Sequence, residues 1–383
     1  MGSGRRKYFV VVAELTYTLT RCPECGLEAL YRNGHILTHI HVDGPTDQPA
    51  VLALNKQRWR CSNCHHTCTA TTPVVKANHA IGHNLAMHAL KLASKSLPEK
   101  TIADFIGIST NSVQRIIDAN LHPHANRNLP ENLCFDEFRS TKGSMSFICI
   151  DADTHRAVTV LSGRLNKDIK DFFINQYSAK ERATVKRVVM DMNAVYQRIV
   201  HEVFPNAIII IDRFHIIQLV ARSMDQLRVQ CLKQLDVHSR EHKVLKSLWK
   251  LFHKANPDAK KSHYLFGLNE WSTEQNAIDI GTSASAAFKT AYETYLELHE
   301  DLMGGHYRKL KTLITTYKRN GTVLDTAMST LRKNLRGVIT AAKSSYSNGP
   351  IEGVNRKIKE LKRTCYGFSN QANMFKRIYQ LIA

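Results

Sequence analysis

The sequence predicts an α+β chain of several domains, and three observations support this prediction. Two C-x-x-C pairs near the N-terminus lie among short β-like runs, residues 132–212 alternate between strand and helix patterns, and residues 216–342 are largely helical and charged. A chain of 383 residues, 43% of them hydrophobic, is long enough for two or three domains with separate cores.

The composition is strongly basic. Lys and Arg number 53 against 33 Asp and Glu, a formal net charge of +20. A chain this basic most often binds nucleic acid, and an anionic membrane surface is the lesser alternative. No apolar run reaches the roughly 18 residues of a membrane span, and the N-terminus lacks a signal-peptide pattern. We therefore expect a nucleic-acid-binding protein of a reducing compartment, without membrane association.

The first element, residues 1–76, is predicted to be a zinc-binding β module. Two C-x-x-C turns can supply four thiolates to one tetrahedral structural Zn²⁺. The four thiolates are those of Cys22, Cys25, Cys61 and Cys64. The spacer, residues 26–60, can hold a small β-hairpin. A redox-active C-x-x-C is the main competitor, although no thioredoxin-like βαβ pattern surrounds either pair. Three neighbours could replace one ligand: His65, His66 and Cys68.

The second element, residues 77–122, has the pattern of a helix-turn-helix. Ile102, Ala103 and Phe105 are expected on the buried face of its first helix, Gly107 at the turn, and Ser109 at the cap of the second helix. Base-reading side chains lie near the start of such a second helix. The candidates are Thr110, Asn111, Ser112, Gln114 and Arg115. An ordinary helical hairpin is the alternative. Residues 123–130 are polar and are predicted to be a linker.

Residues 131–215 show the order βββαβαβ. An antiparallel start followed by βαβ crossovers predicts one mixed sheet covered by helices. Asp136 lies in the first strand and Asp191 ends the fourth. If these strands pair, the two carboxylates can point to one place and hold divalent cations for phosphodiester chemistry.

Both aspartates have ordinary alternatives. Asp136 could be an exposed strand residue, although β propensity disfavours Asp there. Asp191 could cap the following helix. Asp151 and Asp153 are rivals for the first ligand position, but they enter a hairpin turn, where Asp is common.

The fifth strand and the last segment add three candidates. Asp212 ends the fifth strand with His215 one turn later, and a buried supporting role behind the metal ligands is predicted for both. Residues 343–383 contain a basic helix with one acid, Glu352, in its first turn. Glu352 either complements the helix dipole or is a third metal ligand. The basic residues behind it are then phosphate contacts: Arg356, Lys357, Lys359, Lys362 and Arg363.

The segment between, residues 216–342, is predicted to be an all-α insertion. Its tryptophans, Trp249 and Trp271, could stack on distorted DNA or form a dimer interface. Packing in a core is the preferred interpretation for both.

The motifs in this order resemble bacterial insertion-sequence transposases of the DDE type, and they are most similar to the ISL3 family. The resemblance covers almost the whole chain and includes the paired cysteines, the helix-turn-helix, FDEF, VVMDMNAVY, PNAIIIIDRFH and SNGPIEGVNRKIKELKR. It implies a ribonuclease-H-like catalytic domain in two parts, 131–215 and 343–383, with Asp136, Asp191 and Glu352 as its metal-binding triad.

The resemblance also implies an activity and partners. Two Mg²⁺ (or Mn²⁺) ions per active site would support cleavage at the terminal inverted repeats and strand transfer into target DNA, by a homodimer in a synaptic complex. The expected location is the bacterial cytoplasm, at the nucleoid. Two alternatives remain: a DNA-binding transcriptional regulator, which leaves Asp136 and Asp191 unexplained, and a ribonuclease-H-like nuclease without strand transfer.

Overall fold

The computed structural model of the chain describes residues 7–45, 48–121 and 126–382. These residues pack as two compact units. The first comprises the described residues of 1–124, 139–144 and 354–383, and the second those of 125–138 and 145–353. Residues 123–125 of the predicted linker lie outside the described residues. The finer division of the chain into six segments stays a prediction.

The first unit begins with a four-stranded sheet. Its strands are β1 (Phe9–Leu15), β2 (Leu30–Asp43), β3 (Pro49–Cys61) and β4 (Thr67–Thr69). Their order is β1-β3-β2, with β4 also on β3; β1 is parallel to β3, and the other pairs are antiparallel. The predicted hairpin between the cysteine pairs is therefore present, but its strands are long: 14 residues in β2 and 13 in β3.

Helices form the rest of the first unit. They are α1 (His83–Ser94), α2 (Glu99–Ile106), α3 (Thr110–Asn120), most of α14 (Gly349–Thr364) and α15 (Gln371–Leu381). Ile102, Ala103 and Ile106 lie on the buried face of α2. The expectation for Phe105 is wrong, since its side chain is 46% exposed. Helical periodicity explains this, because the buried face of α2 passes through residues 102, 103 and 106.

The second unit contains a five-stranded mixed sheet, as the sequence predicts. Its strands are β5 (Asn132–Arg139), β6 (Met145–Asp151), β7 (Ala157–Leu161), β8 (Arg187–Met190) and β9 (Ile208–Ile211), in the order β7-β6-β5-β8-β9. The pair β6–β7 is antiparallel, whereas β5–β8 and β8–β9 are parallel. The crossover helices are α4 (Asn166–Gln176), α5 (Ala179–Arg182) and α6 (Ala194–Val203).

Aromatic residues fill the core between this sheet and its helices. Phe135 contacts Phe147 at a ring-centroid distance of 5.0 Å and stacks on Phe173 at 5.8 Å. Phe204, just after α6, contacts Phe173 at 5.1 Å. Large buried rings of this kind contribute much of the burial energy of a core. They fix β5, α4 and α6 as one block.

Seven further α-helices follow β9 in the part of the chain that the structure describes. They are α7 (Arg213–Leu232), α8 (Arg240–Ser247), α9 (Glu274–Ser283), α10 (Ala286–Met303), α11 (Tyr307–Thr316), α12 (Leu324–Lys333) and α13 (Leu335–Lys343). Helix α13 packs on β9 so closely that a methyl group on Gly337 would lie 2.8 Å from Ile211. No helix in the described parts of the chain is long and apolar enough to cross a membrane.

The prediction that residues 216–342 are entirely helical is wrong. Strands β10 (His263–Leu265) and β11 (Glu270–Ser272) form an antiparallel hairpin between α8 and α9. Core packing is also wrong for Trp271, which lies in this hairpin with 71% of its surface exposed. Trp249 is 39% exposed, and the side chains of Arg228 and Lys250 lie over its ring.

Gly107, between α2 and α3, generates a stability prediction. Its φ is +76°, and a methyl group there would lie 2.3 Å from Cβ of Pro49. Gly34 has a similar φ of +72°, but a methyl group there would have no atom within 4 Å. We expect Gly34→Ala to cost about 1 kcal/mol, the conformational term alone, and Gly107→Ala to cost at least about 2 kcal/mol more because of overlap. Chemical denaturation of both variants measures the difference; equal costs would contradict the close approach.

Candidate active site and metal centre

The four predicted cysteine ligands converge in the first unit. Among the described residues, they form the one group of three or more Cys, His, Asp or Glu residues whose ligand atoms all lie within 4.8 Å of one another. Sγ of Cys22 is 3.6 Å from Sγ of Cys64, and Sγ of Cys25 is 3.7 Å from Sγ of Cys61. Tetrahedral zinc with Zn–S bonds of about 2.3 Å places its sulfur atoms about 3.8 Å apart, so the cluster fits that ion.

Both cysteine turns have the same construction. The residue after the second cysteine has positive φ, +74° at Gly26 and 59° at His65, and its amide donates to the carbonyl of the first cysteine. The backbone amides of Cys64 and Asn63 lower the pKa of Cys61 to about 7. A thiolate is therefore available near neutral pH, as metal binding requires. His65, His66 and Cys68 lie outside the cluster.

Three aspartates of the second unit lie in one row across its parallel strands. In the β5–β8 register, Cys134 is opposite Val189, and two residues further along each strand this register reaches Asp136 and Asp191. In the β8–β9 register, Met190 is opposite Ile211, so the next pair is Asp191 and Asp212. Neighbouring strands are about 4.8 Å apart, and residues in register on parallel strands share a face. The row therefore concentrates negative charge at one edge of the sheet.

The electrostatics of the row agree with this placement. Burial raises the pKa of Asp136 to about 6; the Asp191 carboxylate adds to the rise, and the amide of Glu137, 2.7 Å from Oδ1, opposes it. Burial also raises the pKa of Asp191, against the amide of Asn193. His215, in the first turn of α7, lowers the pKa of both carboxylates. A cation beside the pair would relieve their repulsion.

Hydrogen bonds in the structure bear on the helix-cap alternative for Asp191 and on the rival ligands Asp151 and Asp153. Asn193, not Asp191, caps α6, because its side chain accepts a hydrogen bond from the amide of Val195. Asp151 accepts bonds from the amide of Asp153 and the hydroxyl of Thr154, which is a turn role. Asp153 accepts from the Asn132 amide group and the Tyr346 hydroxyl, and these bonds lower its pKa. Asp151 and Asp153 are therefore engaged elsewhere.

Asn348 anchors the start of α14 to the row of aspartates. This side chain is 1% exposed, and its Nδ2 donates to the carbonyl of Phe135, the residue before Asp136. Its backbone amide donates to Oδ1 of Asp212 at 3.1 Å. Asp212 is 3% exposed, and its Oδ2 has no hydrogen-bond partner within the described chain. Asp212 is therefore hydrogen-bonded to the segment that carries Glu352, and its supporting role behind the metal ligands stays a prediction.

Glu352 lies one helical turn beyond this anchor, and its amide donates to the carbonyl of Asn348 at 3.0 Å. Its side chain is exposed. In the described residues, Asp136, Asp191 and Glu352 do not all approach within 4.8 Å of one another. The structure therefore places His215 near both Asp136 and Asp191. Glu352 lies four residues after the anchored Asn348, but the three acids do not form one ligand cluster.

Glu137 is a site residue that the sequence interpretation missed. Its carboxylate accepts hydrogen bonds from the Tyr196 hydroxyl at 2.6 Å and from Nη1 of Arg164 at 2.8 Å. Tyr196 belongs to α6, which follows Asp191, so Glu137 ties β5 to the helix behind the second aspartate. The signal in the sequence is an acid at position 137 with a lone arginine after β7, but only the sheet order pairs them.

The helix-turn-helix candidates divide by exposure. Thr110, Asn111 and Arg115 are exposed, whereas Ser112 and Gln114 are half-buried. The hydroxyl of Ser112 is hydrogen-bonded to that of Ser109, which caps α3 as predicted. The first turns of α3 line a cleft of about 1240 Å³ in the first unit. Basic and imidazole side chains also line it, namely Arg115, Lys76, His79 and His83.

The basic residues of α14 are not equivalent. Its buried positions are Ile351, Val354, Ile358 and Leu361. Four of the predicted phosphate contacts are exposed: Arg356, Lys357, Lys359 and Arg363. Lys362 is half-buried, and its Nζ donates to the carbonyls of Arg139 and Ser140 at 2.8 and 2.9 Å. The ammonium group of Lys362 is therefore already bound to backbone carbonyls of the first unit.

The sequence of this chain is similar to known proteins over different lengths. The family model of ISL3-type DDE transposases, described as "Transposase", matches residues 133–378. The transposase for insertion sequence element IS1001 of Bordetella parapertussis is 22% identical over 366 residues, which cover 93% of this chain and 87% of that protein. An "ATP-dependent protease" of Lactococcus lactis subsp. lactis is 31% identical over 130 residues, covering 33% of this chain and 42% of that protein.

Among solved structures, the following likeness is distant. The Drosophila P element transposase strand transfer complex aligns with 78% of this chain and 91% of its own at 10% identity and a TM-score of 0.39, a likeness too weak to support an argument. The family match is strong enough to assign the chain to a family, because it spans well over half of the chain and includes all three aspartates of the row and Glu352. On that match, this chain belongs to the ISL3 family of insertion-sequence transposases.

Proposed function

We propose that the protein binds the terminal inverted repeats of its insertion sequence, cuts the DNA there and joins the cut strands to target DNA. The observation that carries this proposal is the row of Asp136 and Asp191 on neighbouring parallel strands, with the anchor at Asn348 beside it. Two half-buried carboxylates in register with a third, that of Asp212, have no use in a regulator that only reads DNA.

The proposal includes a ribonuclease-H-like catalytic domain formed by residues 131–215 and 343–383, with 216–342 as an insertion. The mixed five-stranded sheet of the second unit supports this assignment. Residues 354–383 pack in the first unit, so α14 contributes its first turn, with Glu352, to the proposed catalytic domain.

Asp136, Asp191 and Glu352 are the proposed ligands for divalent cations, Mg²⁺ or Mn²⁺. Carboxylate oxygens are the ligands that such hard cations prefer. The raised pKa of Asp136 and the unpartnered Oδ2 of Asp212 fit a site built for positive charge. Two cations, when bound, would activate the attacking oxygen and stabilise the leaving oxygen.

The residues of the chain then have separate roles. His215 favours the ionised forms of Asp136 and Asp191, the forms that bind cations. Asp212, through Asn348, fixes the position of the first turn of α14. Hydrolysis at the element end breaks a P–O3′ bond and leaves a 3′-hydroxyl. That oxygen attacks a target phosphorus, so that one P–O bond forms as another breaks.

DNA recognition is assigned to the first unit. Thr110, Asn111 and Arg115 at the start of α3 are exposed, as base-reading residues must be. Arg356, Lys357, Lys359 and Arg363 on α14 are proposed phosphate contacts, with a salt-dependent contribution. One Zn²⁺ on the four cysteines would hold the β2–β3 hairpin closed. A homodimer holding two element ends completes the proposal.

The first prediction concerns Asp136→Asn. The pKa of Asp136 is raised from about 3.8 to about 6 on folding, so the folded chain binds this proton more tightly than the unfolded chain. The charge therefore destabilises the metal-free fold fully above about pH 6, and the penalty disappears as the pH falls toward 4. At pH 7.5, Asp136→Asn should stabilise the metal-free protein by roughly 1–3 kcal/mol while abolishing Mg²⁺-dependent cleavage of inverted-repeat DNA.

Two measurements make this decisive. Denaturation without added divalent ions measures the stability. A cleavage assay on intact inverted-repeat DNA and a strand-transfer assay with a precut end measure the activity. Glu352→Gln, on an exposed residue, should lose cleavage without a gain in stability and retain end binding. Cleavage by either variant would disprove the triad; cleavage without joining by the unaltered protein would favour a nuclease.

The second prediction concerns the cysteine cluster. Cys61→Ser should release zinc, lower the stability of the first unit and weaken end binding, because the cluster links the cysteine turn before β2 to the cysteine turn at the end of β3. Cys68→Ser is the matched control, since Cys68 lies on β4 outside the cluster. Metal analysis of the purified proteins should find one zinc per chain in the control. Zinc loss in the control, or zinc retained in Cys61→Ser, would be incompatible with this ligand set.

The third prediction concerns α3. Arg115→Ala should weaken binding to inverted-repeat DNA by about 1–3 kcal/mol and reduce discrimination against unrelated duplex. Arg336→Ala removes the same charge from an exposed position of α13 and serves as the control. Titration of labelled duplexes at fixed salt compares them. Unchanged discrimination in Arg115→Ala would contradict base reading by this helix.

A further inference from the structure

An exposed cluster of aromatic side chains lies on the β10–β11 hairpin of the second unit. Tyr264 and Trp271 are directly opposite each other across the two strands, so they share one face. Phe266 follows β10. Trp271 is 71% exposed and Phe266 82%, values far from those of core residues. Ring centroids are 6.1 Å apart for Tyr264 and Trp271 and 5.1 Å apart for Tyr264 and Phe266.

The hairpin is firmly supported from its other side. Leu265 and Ser272 are buried, and a methyl group on Gly267 would lie 2.8 Å from Cβ of Ser247 at the end of α8. The amides of Leu268 and Asn269 both donate to the carbonyl of Leu265 at 2.9 Å and close the turn. The aromatic face is therefore a solvent-exposed surface on a well-supported hairpin.

The geometry of the rings leaves flat surfaces open. Both contacts are edge-to-face, with interplanar angles of 70° and 81°. In this arrangement the edge of one ring meets the face of its neighbour, so the rings do not stack on one another, and most of the surface of Trp271 and Phe266 stays open. Clustered, exposed aromatic residues on a rigid support are typical of interaction surfaces.

The charges around the hairpin favour an anionic partner. Glu270 is paired with Arg240, and Glu274 with Lys254. Asp258 accepts the amides of Lys260 and Lys261. The side chains of these two lysines are exposed and have no acidic partner within the described chain. Open aromatic faces, with exposed lysines three and four residues before Tyr264, match the requirements of single-stranded nucleic acid, whose bases stack and whose phosphates need cations.

We propose that Tyr264, Phe266 and Trp271 form a stacking platform for unpaired bases of single-stranded DNA, with Lys260 and Lys261 contacting its phosphates. The choice of DNA rests on the proposed function, since strand cleavage and transfer expose unpaired bases near the cut ends. The binding itself needs neither the carboxylates nor divalent cations.

The test uses the full zinc-containing chain without added Mg²⁺. Trp271→Ala and Tyr264→Ala are compared with the unaltered protein for binding to a labelled thymidine oligonucleotide and to a duplex of the same length. Trp271→Ala should lower the affinity for the single strand by about tenfold or more and leave that for the duplex within about twofold. Trp271→Phe, which keeps a ring, should retain most of the affinity.

Matched controls separate this proposal from its rivals. Trp249→Phe should bind like the unaltered protein, and the unlabelled oligonucleotide should quench tryptophan fluorescence in Trp249→Phe but not in Trp271→Phe. Unchanged single-strand affinity in Trp271→Ala would overturn the proposal, as would an equal loss on duplex. A changed sedimentation coefficient with unchanged DNA affinity would identify a protein interface instead. Asp136→Asn should bind single strands normally, so failure of the catalytic proposal and failure of this one are distinguishable.

Discussion

Parallel pairing of β5 with β8 and of β8 with β9 puts three carboxylates in one row, and much of the second unit responds to that constraint. Like charges at strand spacing in a partly buried place repel one another; burial is the main cause of the raised pKa values of Asp136 and Asp191, and neighbouring carboxylates add to both. The fold opposes it with an amide hydrogen bond to each and with His215. Asp212 likewise accepts a hydrogen bond from a backbone amide, that of Asn348. The strain is retained because the row is where the proposed chemistry happens.

Local signals in the sequence were sufficient for much of the fold. The C-x-x-C turns, the capped α3 helix and the βββαβαβ order depend on residues within a few positions of one another, so pattern alone predicts them. The β10–β11 hairpin was missed because its strands have three residues each and lie in a long helical, charged region. Phe105 and Trp271 were misplaced for a related reason: hydrophobicity indicates burial in general, but only tertiary packing decides which apolar residue is left outside.

The candidate site shows the same division. Asp136, Asp191 and Glu352 could be proposed from a strand, a strand end and a helix start, and their role as ligands stays a prediction. The contacts of Asn348 and Glu137 could not be foreseen, because their partners lie far away in the sequence. The same contrast between local signals and distant partners is clearest for the basic residues. Besides Lys362, Arg377 donates to the carbonyls of Ala93 and Leu97, and Arg332 to that of Ile314. These cations bind backbone carbonyls at the end of β5, near the ends of α1 and α11 and in the connection after α1, so a formal charge of +20 overstates the charge that is free to meet DNA.

The register of the parallel strands also limits how the gene can change in length. Successive side chains of a strand alternate between faces, so deletion of a single codon within β8 would turn Asp191 to the opposite side of the sheet. The connection from α7 to α8, residues 233–239, lies outside the sheet, has mostly exposed side chains and can lengthen at a modest entropic cost. Length variation among descendants of this element should therefore collect in such connections, while the four residues of β8 keep their count even where their identities drift.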